Sequence, residues 1–178
     1  PPPANGGPDV IIQPFSAVRR KQSRPALYRR IIESFAPGTR VAITGTQGDL
    51  DGNNEFKPLL DLPGVEFDSS NFQDLVPKLR AAKLVISVDT ALMHLAVAVG
   101  APTLCLASAA YVGEIVPYDP AITPDNARFV YHSMPCEGCL GECILPAEDG
   151  MFPCVARLDQ DQVIASVGEM MAAKAPAQ

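Results

Sequence analysis

Two patterns of apolar residues alternate along the chain. Short continuous apolar runs are typical of strands buried on both faces. They occur at residues 9–13, 40–44, 64–67, 84–88 and 102–107. Between these runs, helices are predicted from Pro25, over 55–60, from Asn71 and over 92–99. The alternation of strands and helices predicts a Rossmann-like, doubly wound α/β fold, with a parallel sheet covered on both faces.

Local signals place several turns and helix ends. Pro25 fits the first turn of a helix, and Asn71, with Asp74 three residues later, resembles a capping box. Pro77 removes a backbone hydrogen bond from the helix predicted from Asn71, so we expect a kink or a late start in that helix. Residues 45–54 are rich in glycine, aspartate and asparagine and predict a loop.

The last third of the chain has a different character. Residues 111–126 predict mostly loop, and 128–131 predict an edge strand. A cysteine-rich segment, 133–156, follows it. A final helix from Asp159 carries an apolar stripe that must dock on the body of the fold. The stripe consists of Val163, Ile164, Val167, Met170 and Met171.

We predict one domain over residues 9–174, with the cysteine-rich segment inside it. Residues 1–8 are rich in proline and glycine. They indicate a linker, or the edge of a piece cut from a longer protein. Residues after Lys174 are expected to fray.

Composition argues against several classes of function. Hydrophobic residues make up 47% of the 178 residues and charged residues 19%, as in globular chains. The net charge of −6 argues against a nucleic-acid binder, which usually carries a basic face. No apolar run approaches the roughly 20 residues that span a bilayer, and no signal peptide is visible. We expect a cytoplasmic protein with at most peripheral contact at the inner membrane face.

The turn after the run 84–88 is the strongest candidate for a binding site. Ligands of open α/β sheets bind beyond the carboxyl ends of the strands, where a helix N-terminus offers free N–H groups to anions. Asp89, Thr90, Ala91 and Leu92 occupy such a position, and His94 lies one helical turn after Thr90. The pattern predicts a phosphate site. The structural alternative makes Asp89 a plain N-cap and His94 a core residue bonded to a carbonyl.

Residues 84–106, LVISVDTALMHLAVAVGAPTLCL, resemble the signature of glycosyltransferase family 9, the lipopolysaccharide heptosyltransferases. In that family a buried strand precedes the pattern D-[ST]-G-x-x-H-L-A-x-A-x-G-x-P-[TV]. The matching residues are Asp89, Thr90, His94, Leu95, Ala96, Ala98, Gly100, Pro102 and Thr103. Ala91 stands where the family usually has glycine, and its methyl is tolerable if φ is negative. The resemblance implies that Thr90, Ala91 and His94 hold the diphosphate of a nucleotide-sugar donor.

The likeness extends more weakly to two other loops. After its first strand the family has H-P-G-[AS] and then a basic residue; here Gln13-Pro14-Phe15-Ser16 precedes a basic run. Lys21 is the best candidate in that run for a phosphate contact, and a merely solvated run is the alternative. After the second strand the family places an acidic side chain at the ribose. Asp49 or Asp51 would serve here, although an aspartate in a glycine-rich loop is usually only a turn former.

The resemblance also implies the GT-B arrangement, in which two Rossmann-like domains face a cleft. It covers only the C-terminal, donor-binding half, so the catalytic residues are expected on a missing N-terminal domain and none in this chain. We expect an ADP-heptose-like donor, a glycan or lipopolysaccharide-type acceptor, and no transfer by this chain alone. Two alternatives stay open: half of a nucleotide-sugar 2-epimerase, and a degenerate nucleotide-binding module without catalysis.

Four cysteines close together suggest a second site. Cys136, Cys139, Cys143 and Cys154 have the spacing C-x2-C-x3-C-x10-C. A tetrahedral site for structural zinc, or for iron, fits four thiols. Two disulfides, which need an oxidising compartment, and free thiols are the alternatives. We favour a metal, zinc before iron, because the segment lacks a core of its own. Cys105, inside a predicted strand, is expected to be a small core residue.

Overall fold

A computed structural model describes residues 7–173, which form a parallel sheet with helices on both faces. Within these residues the sheet has six strands in the order β3-β2-β1-β4-β5-β6, and every neighbouring pair is parallel. The strands are β1 (Val10–Gln13), β2 (Val41–Thr44), β3 (Val65–Asp68), β4 (Leu84–Val88), β5 (Thr103–Leu106) and β6 (Ala127–Val130). The predicted doubly wound fold is confirmed, and so is the edge position of the last strand.

The helices lie mainly between successive strands. They are α1 (Pro25–Glu33), α2 (Gln47–Gly52), α3 (Phe72–Ala81), α4 (Ala91–Ala98), α5 (Pro153–Ala156) and α6 (Gln160–Ala173). Short 3₁₀ helices cover Arg19–Lys21, Asn54–Asp61 and Ala109–Tyr111. Because parallel strands need crossovers, this alternation puts every strand-to-helix turn at one edge of the sheet.

Alternate residues of the central strands belong to two cores, one on each face of the sheet. Val10 and Ile12 join the core that contains α1 and α6, whereas Ile11 joins the core that contains α3 and α4. All three side chains are fully buried. Because both faces are covered, these strands have continuous apolar sequences. The apolar stripe of α6 packs on the first core, which confirms the predicted docking of the final helix.

One local prediction was wrong, another keeps one of its two alternatives, and one element was missed. Residues 45–54 contain α2, because Thr46 and Asp49 form a reciprocal capping box that starts a helix. The helix α3 begins directly after Asn71, so it does not start late, and a kink at Pro77, which lies inside it, stays a prediction. The helix α5 lies within the cysteine-rich segment and was not predicted. The helix expected over 55–60 is present as a 3₁₀ helix.

The cysteine-rich segment has little regular structure but packs on the loop that follows β1. Apart from α5, the described residues 133–156 contain only turns and one isolated bridge between Glu148 and Met151. Phe152 donates its backbone N–H to the carbonyl of Arg20 at 2.8 Å, and its ring lies under the Arg20 guanidinium. Most of the predicted linker 1–8, and the end from residue 174 onward, lie outside the described residues.

Candidate functional site

The candidate site lies where the strand order reverses. The chain runs from β1 outward to β3 and then returns to β4 on the other side of β1. Connections leave β1 and β4 in opposite directions, and this opens a crevice at their carboxyl ends, where doubly wound folds bind ligands. Gln13 ends β1, and the turn Asp89-Thr90 joins β4 to α4. The predicted phosphate turn therefore lies at the crevice.

The N-terminus of α4 presents unused amide donors. Its first helical hydrogen bond runs from the amide of His94 to the carbonyl of Thr90 at 3.4 Å. Among residues 7–173 no side chain caps this helix, so the amides of Ala91 and Leu92 remain available to a ligand. Ala91 is exposed and is not one of the residues with positive φ. Its methyl group is therefore compatible with the turn, as the condition on φ required.

Gln13 anchors the side chain of Thr90. The Thr90 hydroxyl donates to Oε1 of Gln13 at 3.0 Å, and the Ser87 hydroxyl lies 3.0 Å from the same oxygen. Nε2 of Gln13 donates to the carbonyl of Phe15 at 2.6 Å, which fixes the orientation of the amide. Since the Thr90 hydroxyl proton is committed to Gln13, Thr90 can offer an anion its backbone amide more readily than its hydroxyl.

Lys21 reaches the turn but forms an ion pair with Asp89. Its Nζ lies 3.0 Å from Oδ1 of Asp89 and donates to the Asp89 carbonyl at 2.7 Å. It also lies 4.8 Å from the centre of the Tyr111 ring. The Lys21 and Asp89 side chains are only 11% and 3% exposed. Burial raises the pKa of Asp89, whereas Lys21 and the Ser108 hydroxyl, which donates to Oδ2, lower it.

His94 is paired with a tyrosine rather than a carbonyl. Its Nδ1 lies 2.6 Å from the hydroxyl of Tyr118, and the two rings stack at 5.6 Å between centroids. Burial lowers the pKa of His94, the charge of Asp89 raises it, and Lys21 lowers it again. The net direction is downward, so the imidazole is neutral at neutral pH. The structural alternative for His94 was thus wrong about the partner. Tyr118 lies in a loop without a recognisable motif and could not be singled out from the sequence.

A cavity of about 250 Å³ borders the part of the turn from Thr90 to Leu92, and neither Lys21 nor His94 lines it. It is lined by Gln13, Thr44, Gly45, Thr46, Asp49, Ser70, Asn71, Phe72, Leu75, Thr90, Ala91 and Leu92. These residues lie at or just beyond the carboxyl ends of β1 to β4. Their positions directly after the predicted strands were a signal from which they could have been identified in the sequence. The volume is below the range of about 300–1,000 Å³ for whole ligand sites, and therefore suits one part of a ligand.

Of the two aspartates considered for a ribose contact, only Asp49 lines this cavity. Its Oδ2 accepts hydrogen bonds from the amide of Thr46 at 2.8 Å and from the Thr46 hydroxyl at 2.7 Å. Its other oxygen has no partner among the described residues. Asp51 instead pairs with Lys57 at 3.2 Å on the surface. Asp49 therefore both caps α2 and faces the cavity.

The four clustered cysteines converge on one small cavity, of about 10 Å³, and none of them forms a disulfide. The amide of Ala109 donates to Sγ of Cys154 at 3.4 Å. Burial raises the pKa of Cys154, and so do Cys143 and Cys139. Nevertheless, no three metal-ligating side chains among residues 7–173 are arranged to hold an ion. Cys105 is 1% exposed in β5, as predicted for a core residue.

A family model covers the turn and its surroundings. Residues 69–137 match the model of glycosyltransferase family 9 (heptosyltransferase). The resemblance to glycosyltransferase family 9 is thereby confirmed. The family 9 segment runs from the end of β3 to the first clustered cysteine, and so includes α4, His94 and Tyr118.

Solved heptosyltransferases share the fold. The chain matches E. coli ADP-heptose lipopolysaccharide heptosyltransferase II with a TM-score of 0.65 and 18% identity, over 94% of this chain and 47% of that one. It matches E. coli heptosyltransferase WaaC with ADP-2-deoxy-2-fluoro heptose with a TM-score of 0.62 and 20% identity, over 94% and 44%.

A third structure is described as containing iron. Dodecameric iron-containing TibC from enterotoxigenic E. coli, in complex with ADP-D-β-D-heptose, matches with a TM-score of 0.66 and 19% identity, over 97% of this chain and 47% of that one. The chain therefore spans slightly less than half the length of each of these proteins. No curated protein sequence matches it. None of the helices in the described part is long and apolar enough to cross a membrane.

Proposed function

We propose that residues 9–174 form the donor-binding domain of a family 9 glycosyltransferase, which takes a nucleotide-diphospho-sugar of the ADP-heptose type. The observation that carries the proposal is the uncapped N-terminus of α4, placed at the reversal of strand order inside the family 9 segment. Free amides and the helix dipole favour an anion there. WaaC and TibC, which share the fold, carry ADP-sugars in their structures.

The parts of the donor can be assigned to the described residues. The diphosphate would lie across the amides of Thr90, Ala91 and Leu92, with His94 on the flank away from the cavity. The nucleoside would enter the cavity of about 250 Å³, with its ribose at Asp49. During transfer the bond from the sugar carbon to the diphosphate breaks, and negative charge develops on the departing nucleotide. Oriented amides lower the energy of that charge in the transition state.

Lys21 does not act in this site as an unpaired cation that binds phosphate. Its ammonium group is neutralised by Asp89 at 3.0 Å, so the pair adds little net charge to the turn. We propose that Lys21 and Asp89 hold the turn in shape. In addition, one N–H of the Lys21 ammonium group would donate a hydrogen bond to the diphosphate. The same pairing, with Ala91 in the place of glycine, supports the second candidate function, a nucleotide-binding module without catalysis. Measured transfer by the whole protein distinguishes the two.

His94→Ala should weaken the binding of ADP. Loss of a hydrogen bond to a charged group costs about 1–3 kcal/mol, which corresponds to roughly 5-fold to 150-fold in affinity. Isothermal titration calorimetry measures the change. His132→Ala is the matched control, since His132 lies outside the turn and is the other histidine of the sequence. If both variants bind ADP like the unmodified protein, His94 has only a structural role.

The chain by itself should bind the donor without transferring sugar. In the GT-B arrangement a second Rossmann-like domain supplies the base and most of the acceptor site, and that domain is the partner we propose. The measurement is release of ADP from ADP-heptose by the 178-residue chain, with and without the other half of the parent protein. Acceptor-dependent turnover by the chain alone would contradict the assignment of catalysis to the other half.

We also propose that the four clustered thiols close around one structural metal ion, zinc or iron. Three observations support this: their convergence on one cavity, the absence of a disulfide among them, and the amide that donates to Cys154. Amide donors to sulfur are typical of thiolate ligands. The thiols of the described residues are not in coordinating positions in the structure, so binding would require the loop to rearrange.

We also propose that the protein is cytoplasmic, with at most peripheral contact at the inner membrane face. A nucleotide-sugar donor from the cytoplasm and thiols that are not joined in disulfides both favour this compartment.

A further inference from the structure

Tyr118 is joined to His94 although it lies outside the D-T-A-x-x-H motif. It belongs to the long loop between β5 and β6, and its hydroxyl lies 2.6 Å from Nδ1 of His94. The His94 and Tyr118 rings are stacked, with 24° between their planes. Tyr118 is itself held by an edge-to-face contact with Phe129 of β6, at 4.9 Å between centroids. The phenol is therefore held by packing on two sides.

Either the phenol or Nδ1 can be the donor in this contact, because the roles depend on the tautomer of His94. Hydrogen bonds from O–H groups span about 2.5–3.0 Å, whereas those from N–H groups to oxygen span about 2.7–3.2 Å. The observed 2.6 Å falls in the first range only. The Met93 sulfur, 4.0 Å from the phenol oxygen, is a much weaker acceptor than an imidazole nitrogen. The short distance favours the phenol as the donor, with Nδ1 unprotonated.

An unprotonated Nδ1 fixes the state of the other ring nitrogen. A neutral imidazole carries one proton, so that proton must reside on Nε2. Within residues 7–173 no side chain or carbonyl pairs with Nε2 of His94. With Nδ1 accepting from the phenol, the half-buried His94 ring has one N–H donor left for a ligand, one helical turn after Thr90.

We propose that Tyr118 is a positioning residue, which holds neutral His94 in the tautomer with its proton on Nε2 so that this nitrogen donates to the donor diphosphate. The other tautomer would present a lone pair to the phosphate oxygens and repel them. The assignment rests on the proposed function for its ligand. The tautomer itself depends only on the contact between Tyr118 and His94.

Nitrogen NMR of ¹⁵N-histidine-labelled protein tests the tautomer directly. The sequence has two histidines, so His132 provides an internal reference in the same spectrum. His94 should show the Nε2–H pattern at neutral pH. In Tyr118→Phe the pattern should shift towards a mixture with Nδ1–H, while that of His132 stays unchanged. Tyr131→Phe is the matched control and should leave both histidines unaltered.

Calorimetry with ADP tests the consequence for binding. Tyr118→Phe should weaken ADP binding by about 3-fold to 10-fold, as expected for loss of one neutral hydrogen bond. In a His94→Ala background the same substitution should have no further effect. An Nδ1–H pattern in the unmodified protein, or an unchanged tautomer and affinity in Tyr118→Phe, would overturn the inference. Failure of the unmodified protein to bind ADP would instead refute the proposed function, and the spectra would still decide the tautomer.

Discussion

Asp89→Ala is expected to lower the free energy of unfolding by about 3–5 kcal/mol, the usual cost of removing one partner of a buried ion pair. Asp89 Oδ1 and Lys21 Nζ are 3.0 Å apart, with side chains 3% and 11% exposed. Without the carboxylate, the Lys21 ammonium remains buried beside Tyr111 with little compensating charge. The Ser108 hydroxyl also loses its acceptor. Urea denaturation followed by circular dichroism measures the loss.

Two further variants separate the buried charge from other effects. The double variant Lys21→Met with Asp89→Ala removes the uncompensated charge and should recover part of the lost stability. Glu33→Ala breaks a surface ion pair with Arg29, and both of these side chains are about half exposed. This substitution should change the free energy of unfolding by less than about 1 kcal/mol. An Asp89→Ala variant as stable as Glu33→Ala would show that the Lys21–Asp89 pair does not hold the turn.

Cys139→Ser should abolish metal binding, from about one ion per chain to none. Serine is a poor ligand for zinc or iron in a thiolate site, and one weak ligand of four lowers the affinity strongly. Hydrogen exchange of residues 133–154 should then become faster, whereas the sheet keeps its protection because its two cores lie elsewhere. Elemental analysis of protein purified without chelator gives the metal content and distinguishes zinc from iron.

The fifth cysteine provides the control for this experiment. Cys105 is buried in β5, away from the cavity that the four thiols line. Cys105→Ala should therefore keep the metal content of the unmodified protein. Less than about a tenth of an equivalent of metal, with all clustered thiols reactive, would contradict the metal site. Protection of the four thiols without metal would indicate two disulfides and an oxidising compartment.

The sequence by itself determined the fold and the position of the turn between β4 and α4, where we propose that the diphosphate binds. Strands buried on both faces need continuous apolar residues, and this requirement made 84–88 recognisable as β4. A strand-to-helix turn after such a strand must lie at the carboxyl edge of the sheet. The cap at Asn71 and the docking stripe of α6 were also predicted correctly, since both depend on neighbours within a few residues or on helical periodicity.

The tertiary structure decided which partners the site residues have. Lys21 and Asp89 are 68 positions apart, and His94 and Tyr118 are 24 apart, so no local pattern could pair them. Asp49 lines the cavity and Asp51 does not, because the capping box starts the helix α2, which has an inner and an outer side. Hydrophobic periodicity specifies which face of an element is buried. The direction and partner of a single polar side chain depend on which elements the fold brings against it.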